Sequence, residues 1–288
     1  EQFKSLIAEI KSQAITPPFL SIDQEGGRVE RTENIHNGKK YLSAKYAFEK
    51  GEDFLKNQTE QIASELKEYG INLNFAPCID VNTNPDNPII GERSFSSNPD
   101  EVIRCEKIVS QIYRKNRIVP CAKHFPGHGD ANADSHLTLP EINLSFDEME
   151  KNHIKPFKAC AKTIEMIMVA HLHGTCFEKE VIPTSLSKNA ISYLRNKLGF
   201  EGVTISDDMI MKGVAEVDIK EILEEDPETL WKMTRDESGI SKDFYNKYYK
   251  NKNVAIAYKL GSIKIYEKPK DLKEIGINYV PQSFIYLD

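Results

Sequence analysis

Two rhythms of apolar residues alternate along this chain. Phe3, Leu6, Ile7 and Ile10 fall at helical spacing and predict an amphipathic helix over 1–13, stopped by Pro17-Pro18. Phe19–Ile22 then reads as a short strand ending at Asp23. A helix over 52–69, with Phe54, Ile62 and Leu66 inward, precedes a strand over 72–76 closed by Pro77. A helix over 100–115, capped by Asn98, precedes the apolar run 118–122. Ser145 caps a predicted helix over 145–162, with Asp147 and Glu148 near its positive end. The apolar strand 164–170 follows and ends at His171. Ser187 caps a helix over 187–198 that stops at Gly199, and strand 203–206 ends at Asp207-Asp208.

Strand and helix thus alternate, and polar residues gather where strands end. That is the α/β pattern of a (β/α)8 TIM-type barrel, whose chemistry sits at the C-terminal ends of its strands. A doubly wound open sheet is the alternative, but no GxGxxG follows any strand. Five strands are evident before residue 215, whereas a closed barrel has eight, so the barrel reads as incomplete. Past Val217 the character changes. Residues 218–250 are charged and aromatic, and two short strand-like runs follow at 254–258 and 262–266. The division expected is a barrel domain over 1–217 and a small α+β region over 218–288.

Composition narrows the classes. At 288 residues and 40% hydrophobic the chain can bury a core, as one barrel-sized domain or two smaller ones. A net charge of −6 gives no overall footprint for nucleic acid or anionic lipid. No apolar run approaches the ~18 residues of a membrane span. The start, Glu1-Gln2-Phe3-Lys4, has no Met and no signal peptide and reads as trimmed. Five cysteines, an odd number without framework spacing, read as reduced thiols in a cytoplasmic protein.

The densest chemistry lies in residues 123–136. Lys123-His124-Phe125-Pro126-Gly127-His128-Gly129-Asp130 leaves the apolar run, and Asp134-Ser135-His136 follows. His124, His128, Asp130, Asp134 and His136 are metal-ligand types, but Pro126, Gly127 and Gly129 break any helical face, and no CxxC or HExxH stands elsewhere. Acid–base work is the competing reading. Asp134 and His136 are two apart, so in an extended segment they share a side, where the carboxylate orients the imidazole. An imidazole near its ordinary pKa of ~6.5 can give a proton and take one back. Hydrogen bonding within the loop is the bland alternative.

The loop resembles the KHFPGHG…DSH signature of glycoside hydrolase family 3, in its bacterial β-N-acetylglucosaminidase branch. Five further segments agree in order: Ser21–Arg31 (SIDQEGGRVER), Leu73–Pro77, Ile90–Phe95, Met168–His171 and Ser206–Met209. The resemblance covers roughly residues 1–215. It implies a retaining glycosidase that removes terminal β-linked N-acetylglucosamine from cell-wall muropeptides in the cytoplasm, with no cofactor and no metal. It places the nucleophile on Asp207, the acid/base role on His136 with Asp134 as partner, and sugar binding on Asp23, Arg31, Arg93, Lys123 and His124. Some relatives with such a dyad transfer the glycosyl group to phosphate, so phosphorolysis stays open. The runner-up is a catalytically impaired sugar-binding or RNA-associated fusion, and a metal-dependent hydrolase is third. Trp231, Gly239–Lys242, Tyr248, Gly261 and Pro281–Phe284 look faintly like a PUA-like module; a nucleic-acid partner follows only if that likeness holds, and no membrane partner is expected.

Overall fold

The computed structural model describes residues 2–15, 17–33, 35, 40–132, 139–208, 215–235, 242, 245–246, 249–250 and 253–265, with backbone alone for 215–222 and 256–265. Helix α1 (Gln2–Gln13) leads to strand β1 (Ser21–Ile22). Helices α2 (Ala44–Glu49) and α3 (Glu52–Tyr69) precede β2 (Leu73–Asn74). Helix α4 (Pro99–Lys115) leads to β3 (Val119–Phe125), followed by the short strand β4 (Glu141–Ile142). Helices α5 (Phe146–Glu148) and α6 (Lys155–Cys160) precede β5 (Met166–Val169) and β6 (His173–Gly174). Helix α7 (Lys188–Ser192) precedes β7 (Val203–Ser206).

Five strands form one parallel sheet in the order β1-β2-β3-β5-β7. Consecutive βα units thus lie side by side, as in a TIM-type barrel, and among the described residues the barrel is incomplete. The larger apolar cluster lies between sheet and helices, where Ile62, Leu66, Val102, Val109, Ile118, Ala122, Ile167 and Val169 are buried. Alternate strand residues make a second cluster from Leu73, Cys121, Met166 and Met168, with Phe75, Val203 and Ile205 against it. Apolar side chains on both faces are what a buried parallel sheet requires.

Local chemistry explains the helix ends. The Asn98 side chain accepts from Asp100 N at 2.9 Å, Pro99 opens α4, and Arg114 and Lys115 lie in its last turn. Two expectations change in detail. Phe54 is 37% exposed, and the inward stripe of α3 runs through Leu55, Thr59, Ile62 and Leu66 instead. The helix over 145–162 is broken into α5, a wide π turn over Met149–His153, and α6. Pro156 has no N–H to give the preceding turn, so a continuous helix is disfavoured there. The 187–198 helix likewise gives way to a π turn at Tyr193–Lys197.

Strand β3 is longer than its apolar run. It continues through Lys123, His124 and Phe125, all at most 5% exposed. Phe125 packs edge-on against Phe157 with ring centroids 5.4 Å apart. Beyond it, Gly129 lies against the next loop, and a Cβ there would sit 1.9 Å from the Val81 carbonyl oxygen.

After β7, the residues described change architecture. Strand β8 (Ala215–Glu225) pairs antiparallel with β9 (Ala255–Ile265), and helix α8 (Pro227–Thr234) packs on both. The two strand-like runs near 254–266 are therefore one strand, and β8 begins two residues before the expected boundary at 217. Asp226 caps α8, and Trp231, Tyr245 and Tyr249 stack at centroid distances of 5.0 and 4.7 Å. Gly239, Ile240, Ser241, Tyr248 and Pro281–Phe284, which carry the PUA-like likeness, lie outside the described residues. No described helix is long and apolar enough to cross a membrane.

We propose that the hairpin and α8 belong to a unit separate from the sheet. A break between the units belongs before Ala215, because a cut at 217 would split the hairpin. Produced separately, 1–214 and 215–288 should each be soluble and show cooperative melting. Aggregation of 1–214 alone, with the full chain soluble, would mean instead that the C-terminal residues cover the sheet, since open sheet edges pair with other chains.

Candidate active site

The C-terminal ends of the parallel strands bring the sequence-predicted residues to one side of the sheet. Asp23 and Glu25 leave β1, Asp80 follows β2, Lys123 and His124 end β3, and His171 follows β5. Asp207 and Asp208 follow β7. Arg93 comes from a 3-10 turn, Gly91–Arg93, in the connection after β2.

These side chains form a continuous charged chain. The Lys123 ammonium lies 2.6 Å from Asp23 Oδ1 and 2.6 Å from Glu25 Oε1. Arg93 grips the same Glu25 with two bonds, Nε to Oε2 at 2.9 Å and Nη2 to Oε1 at 2.8 Å. The Arg93 Nη2 also lies 3.2 Å from His124 Nε2, and His124 Nδ1 lies 2.7 Å from Asp80 Oδ2. An arginine only donates, so Nε2 of His124 accepts there and Nδ1–H faces Asp80. Asp80, wholly buried, also accepts from His128 N at 2.6 Å, from the His124 backbone N–H and from the Cys78 thiol at 3.2 Å.

Burial and pairing shift these groups in opposite directions. Burial pushes the Glu25 carboxyl up, but Arg93 and then Lys123 outweigh it and hold it well below the usual glutamate value. Burial pushes Lys123 down, and Glu25 and Asp23 hold it above the ordinary lysine value. Asp80 is pushed up by burial and brought well below the aspartate range by His124 and His128. All three therefore stay charged at neutral pH.

Asp207 is held through its backbone. Its N–H donates to the Val169 carbonyl at 2.9 Å, continuing the β5–β7 pairing, and its Oδ1 accepts from Asp208 N at 2.9 Å. His171 Nε2 lies 3.0 and 3.1 Å from the carbonyl oxygens of Asp207 and Asp208. Two acceptors make Nε2 the donor, so Nδ1 accepts from the Ser185 hydroxyl at 2.7 Å. Burial lowers the His171 pKa, which suits that neutral form. The Asp207 carboxyl is pushed up by burial, but His124, His171, the Asp208 N–H and Lys123 outweigh it and hold it below the ordinary aspartate value. An ionised carboxylate on a fixed backbone can act as a nucleophile.

The structure thus joins Asp23, Lys123, Arg93 and His124 by direct contacts and sets Asp207 within their field. Arg31 stands apart with an exposed side chain, tied through its backbone N–H to Gln24 Oε1 at 2.8 Å. Asp134 and His136 lie outside the described residues. Sequence reading missed Glu25 and Asp80, the two buried carboxylates that bind the cations and the imidazole. Each follows another polar or thiol group at i−2 just past a strand, the one local signal they offer.

Among the described residues, Cys78, Asp80 and His124 are the group whose ligand atoms lie within 4.8 Å of one another, as a metal ion would need. Of the metal-ligand types named from sequence, only His124 is among them. The donor set fits hydrogen bonding better. A metal on His124 Nδ1 would require any ring proton to sit on Nε2, facing the Arg93 donor. A thiolate at Cys78 would also be needed, and burial pushes that thiol well up, with Asp80 adding to the rise.

A family model described as the glycosyl hydrolase family 3 N-terminal domain matches residues 2–226. The chain belongs to this family. A β-hexosaminidase of Tolumonas auensis is 34% identical over 221 residues, 74% of this chain and 64% of its own length. β-Hexosaminidase A of Pseudoalteromonas piscicida is 34% identical over 223 residues, 72% of this chain and 37% of its own length. Among solved structures, native NagZ from Neisseria gonorrhoeae superposes with a TM-score of 0.67 at 32% identity, covering 73% of this chain and 63% of that one. A family 3 β-N-acetylglucosaminidase from a Paenibacillus strain gives a TM-score of 0.68 at 36% identity, covering 73% of this chain and 41% of that one. The chain therefore spans less than two thirds of the length of these relatives. The barrel expected from sequence is the family 3 fold.

Acid should unfold this family 3 domain in two stages. His128 is 1% exposed, neither ring nitrogen has a hydrogen-bond partner among the described residues, and burial lowers its pKa from 6.5 to about 4. The unfolded chain takes up that proton first, so stability is full above the unfolded value and falls as pH drops from about 6.5 toward 4. For His128 alone the loss is on the order of 3 kcal/mol. Glu25 and Asp80, whose pKa values are depressed, add their loss only at lower pH, as the unfolded carboxylates protonate. Urea unfolding of His128→Gln should show a shallower pH slope between 6.5 and 4.5 than the parent, and an unchanged slope would contradict this account.

Proposed function

We propose that this chain carries the catalytic barrel of a retaining β-N-acetylglucosaminidase. The observation that supports it is Asp207, backbone-locked at the end of β7 with its carboxyl held below the aspartate value, beside the cluster of Asp23, Lys123 and His124. Asp207 attacks the anomeric carbon of a terminal β-linked N-acetylglucosamine, the glycosidic bond breaks, and a covalent glycosyl-enzyme forms. His136, oriented by Asp134, protonates the leaving oxygen and then takes a proton from the water that releases the sugar. The partly exposed oxygens of Asp23 accept from sugar hydroxyls, and Lys123, His124 and Arg31 line the same subsite. The Arg93 donors face Glu25, the Ile89 carbonyl and His124, so Arg93 fixes the wall of the subsite. Muropeptide fragments of the cell wall, met in the cytoplasm, are the proposed substrates. The activities named for the relatives support the sugar, not the aglycone.

A second reading has an observation of its own. Among the described residues the sheet has five strands, β1 and β7 are its edges, and β7, which leads directly into Asp207, is only half-buried. Catalysis asks for placement within about 0.5 Å, which an edge strand holds less firmly. On this reading the chain binds the sugar and turns it over poorly.

Release of 4-nitrophenol from its β-N-acetylglucosaminide separates the two. Turnover of about 1 per second or more supports the enzyme; saturable sugar binding with far slower turnover supports the second reading. Activity abolished by EDTA and restored by zinc would overturn both in favour of a metal hydrolase. In an active preparation Asp207→Ala should lose several orders of magnitude in kcat, Asp208→Ala should lose less, and a 2-deoxy-2-fluoro glycoside should label Asp207. Labelling at another residue would remove Asp207 from its role.

The acid/base assignment has its own signature. His136→Ala should hurt substrates with poor leaving groups far more than activated aryl glycosides, with Asp134→Ala a milder copy. Azide should restore part of the turnover where release of the sugar limits, because azide needs no general base. Equal losses on every leaving group, without azide rescue, would assign His136 another task.

A further inference from the structure

We infer that Asp80 is a positioning residue that sets the tautomer of His124 and so the shape of the sugar subsite. The inference rests on the proposed glycosidase reading for its kinetic consequence, but its geometry stands alone. Asp80 meets the imidazole at Nδ1, while Arg93 meets it at Nε2. Asp80 is wholly buried, lies 44 residues from His124 in sequence, and sits 2.7 Å from His124 Nδ1. The same carboxylate accepts the backbone N–H groups of His124 and His128, so it fixes both ends of the turn that ends β3. Cys78 supplies one more donor, through its thiol.

That crowd of donors defines what Asp80 has to be. A carboxylate with its pKa driven well below the ordinary value only accepts, and here every group facing it donates. His124 must then carry its proton on Nδ1. Its Nε2 lone pair is left for Arg93, which is itself clamped on Glu25. Remove the negative charge and the order inverts. An asparagine could turn its amide nitrogen toward Nδ1, which would favour the proton on Nε2. That proton would face the Arg93 guanidinium at 3.2 Å, donor against donor, and the imidazole or the arginine would have to move. Arg93 shares Glu25 with Lys123, so the disturbance passes to the ammonium beside Asp23. Asp80 itself touches no sugar in this scheme.

The test reads the tautomer and the kinetics separately. In the full chain labelled with 15N-histidine, the His124 ring should show a protonated Nδ1, shifted downfield by its carboxylate partner, and an unprotonated Nε2. Asp80→Asn should move the proton to Nε2 or mix the two forms. It should also cut kcat/KM for the 4-nitrophenyl glycoside on the order of 10²-fold or more, since a wrongly held imidazole tautomer costs enzymes that much. Most of the loss should fall in KM, and titration with N-acetylglucosamine should show matching weaker binding. A parent spectrum with Nε2 protonated overturns the inference without any variant, which covers the case in which Asp80→Asn does not fold. A folded Asp80→Asn with parental tautomer, KM and binding overturns it as well. If the parent has no turnover yet the tautomer shifts as expected, the glycosidase reading fails and the role of Asp80 stands.

Discussion

A lysine ammonium taken out of water at the end of β3 is the constraint around which this site is built. Lys123 is 1% exposed, and an unpaired buried charge of that kind costs several kcal/mol. Two carboxylates answer it. Glu25 is itself buried and needs a second cation, which Arg93 supplies with a two-pronged grip. Arg93 then has a donor left over for His124, and His124 has a proton left over for Asp80. Each partner is required by the one before it. Removing one would leave the next charged or unsatisfied in a dry setting, so the chain acts as a unit.

The strand ends make this economy of partners workable. Parallel strands of a barrel deliver their C-terminal residues to one side, so Asp23, Lys123, His171 and Asp207 meet although their strands are separated by helices. The fixed backbone matters as much as the side chains. Asp207 N–H continues the β5–β7 pairing and His171 ties its carbonyl, so the carboxyl is placed before any ligand arrives. Gly26 serves the same end. At φ +93° it lets the turn after Glu25 pack where a Cβ would meet the Leu42 carbonyl at 2.3 Å.

Much of the architecture was legible in the order of residues. The five parallel strands, the helices over 52–69 and 99–115 and the Asn98 and Ser187 caps all follow from periodicity and end signals that act within a turn or two. Where local signals competed, the reading slipped. Strand β3 was expected to end before Lys123, because a charged pair reads as a surface loop. Strand β8 was not expected, because Ala215–Glu225 mixes four glutamates and a lysine with its apolar residues. In both places tertiary partners outweighed local polarity.

The sequence by itself determined the alternation of strand and helix, the family motifs and the candidates Asp23, Lys123, His124 and Asp207. The alternation follows from spacing along one dimension, which hydrophobic burial enforces locally, and the candidates follow from the resemblance of their motifs to family 3. Only the tertiary structure decided which charges answer one another. Lys123 finds Asp23 from 100 residues away, Arg93 finds Glu25 from 68, and His124 finds Asp80 from 44. No periodicity encodes such pairs, because the force that selects them is the cost of leaving a buried charge alone. That cost exists only once the sheet has closed water out.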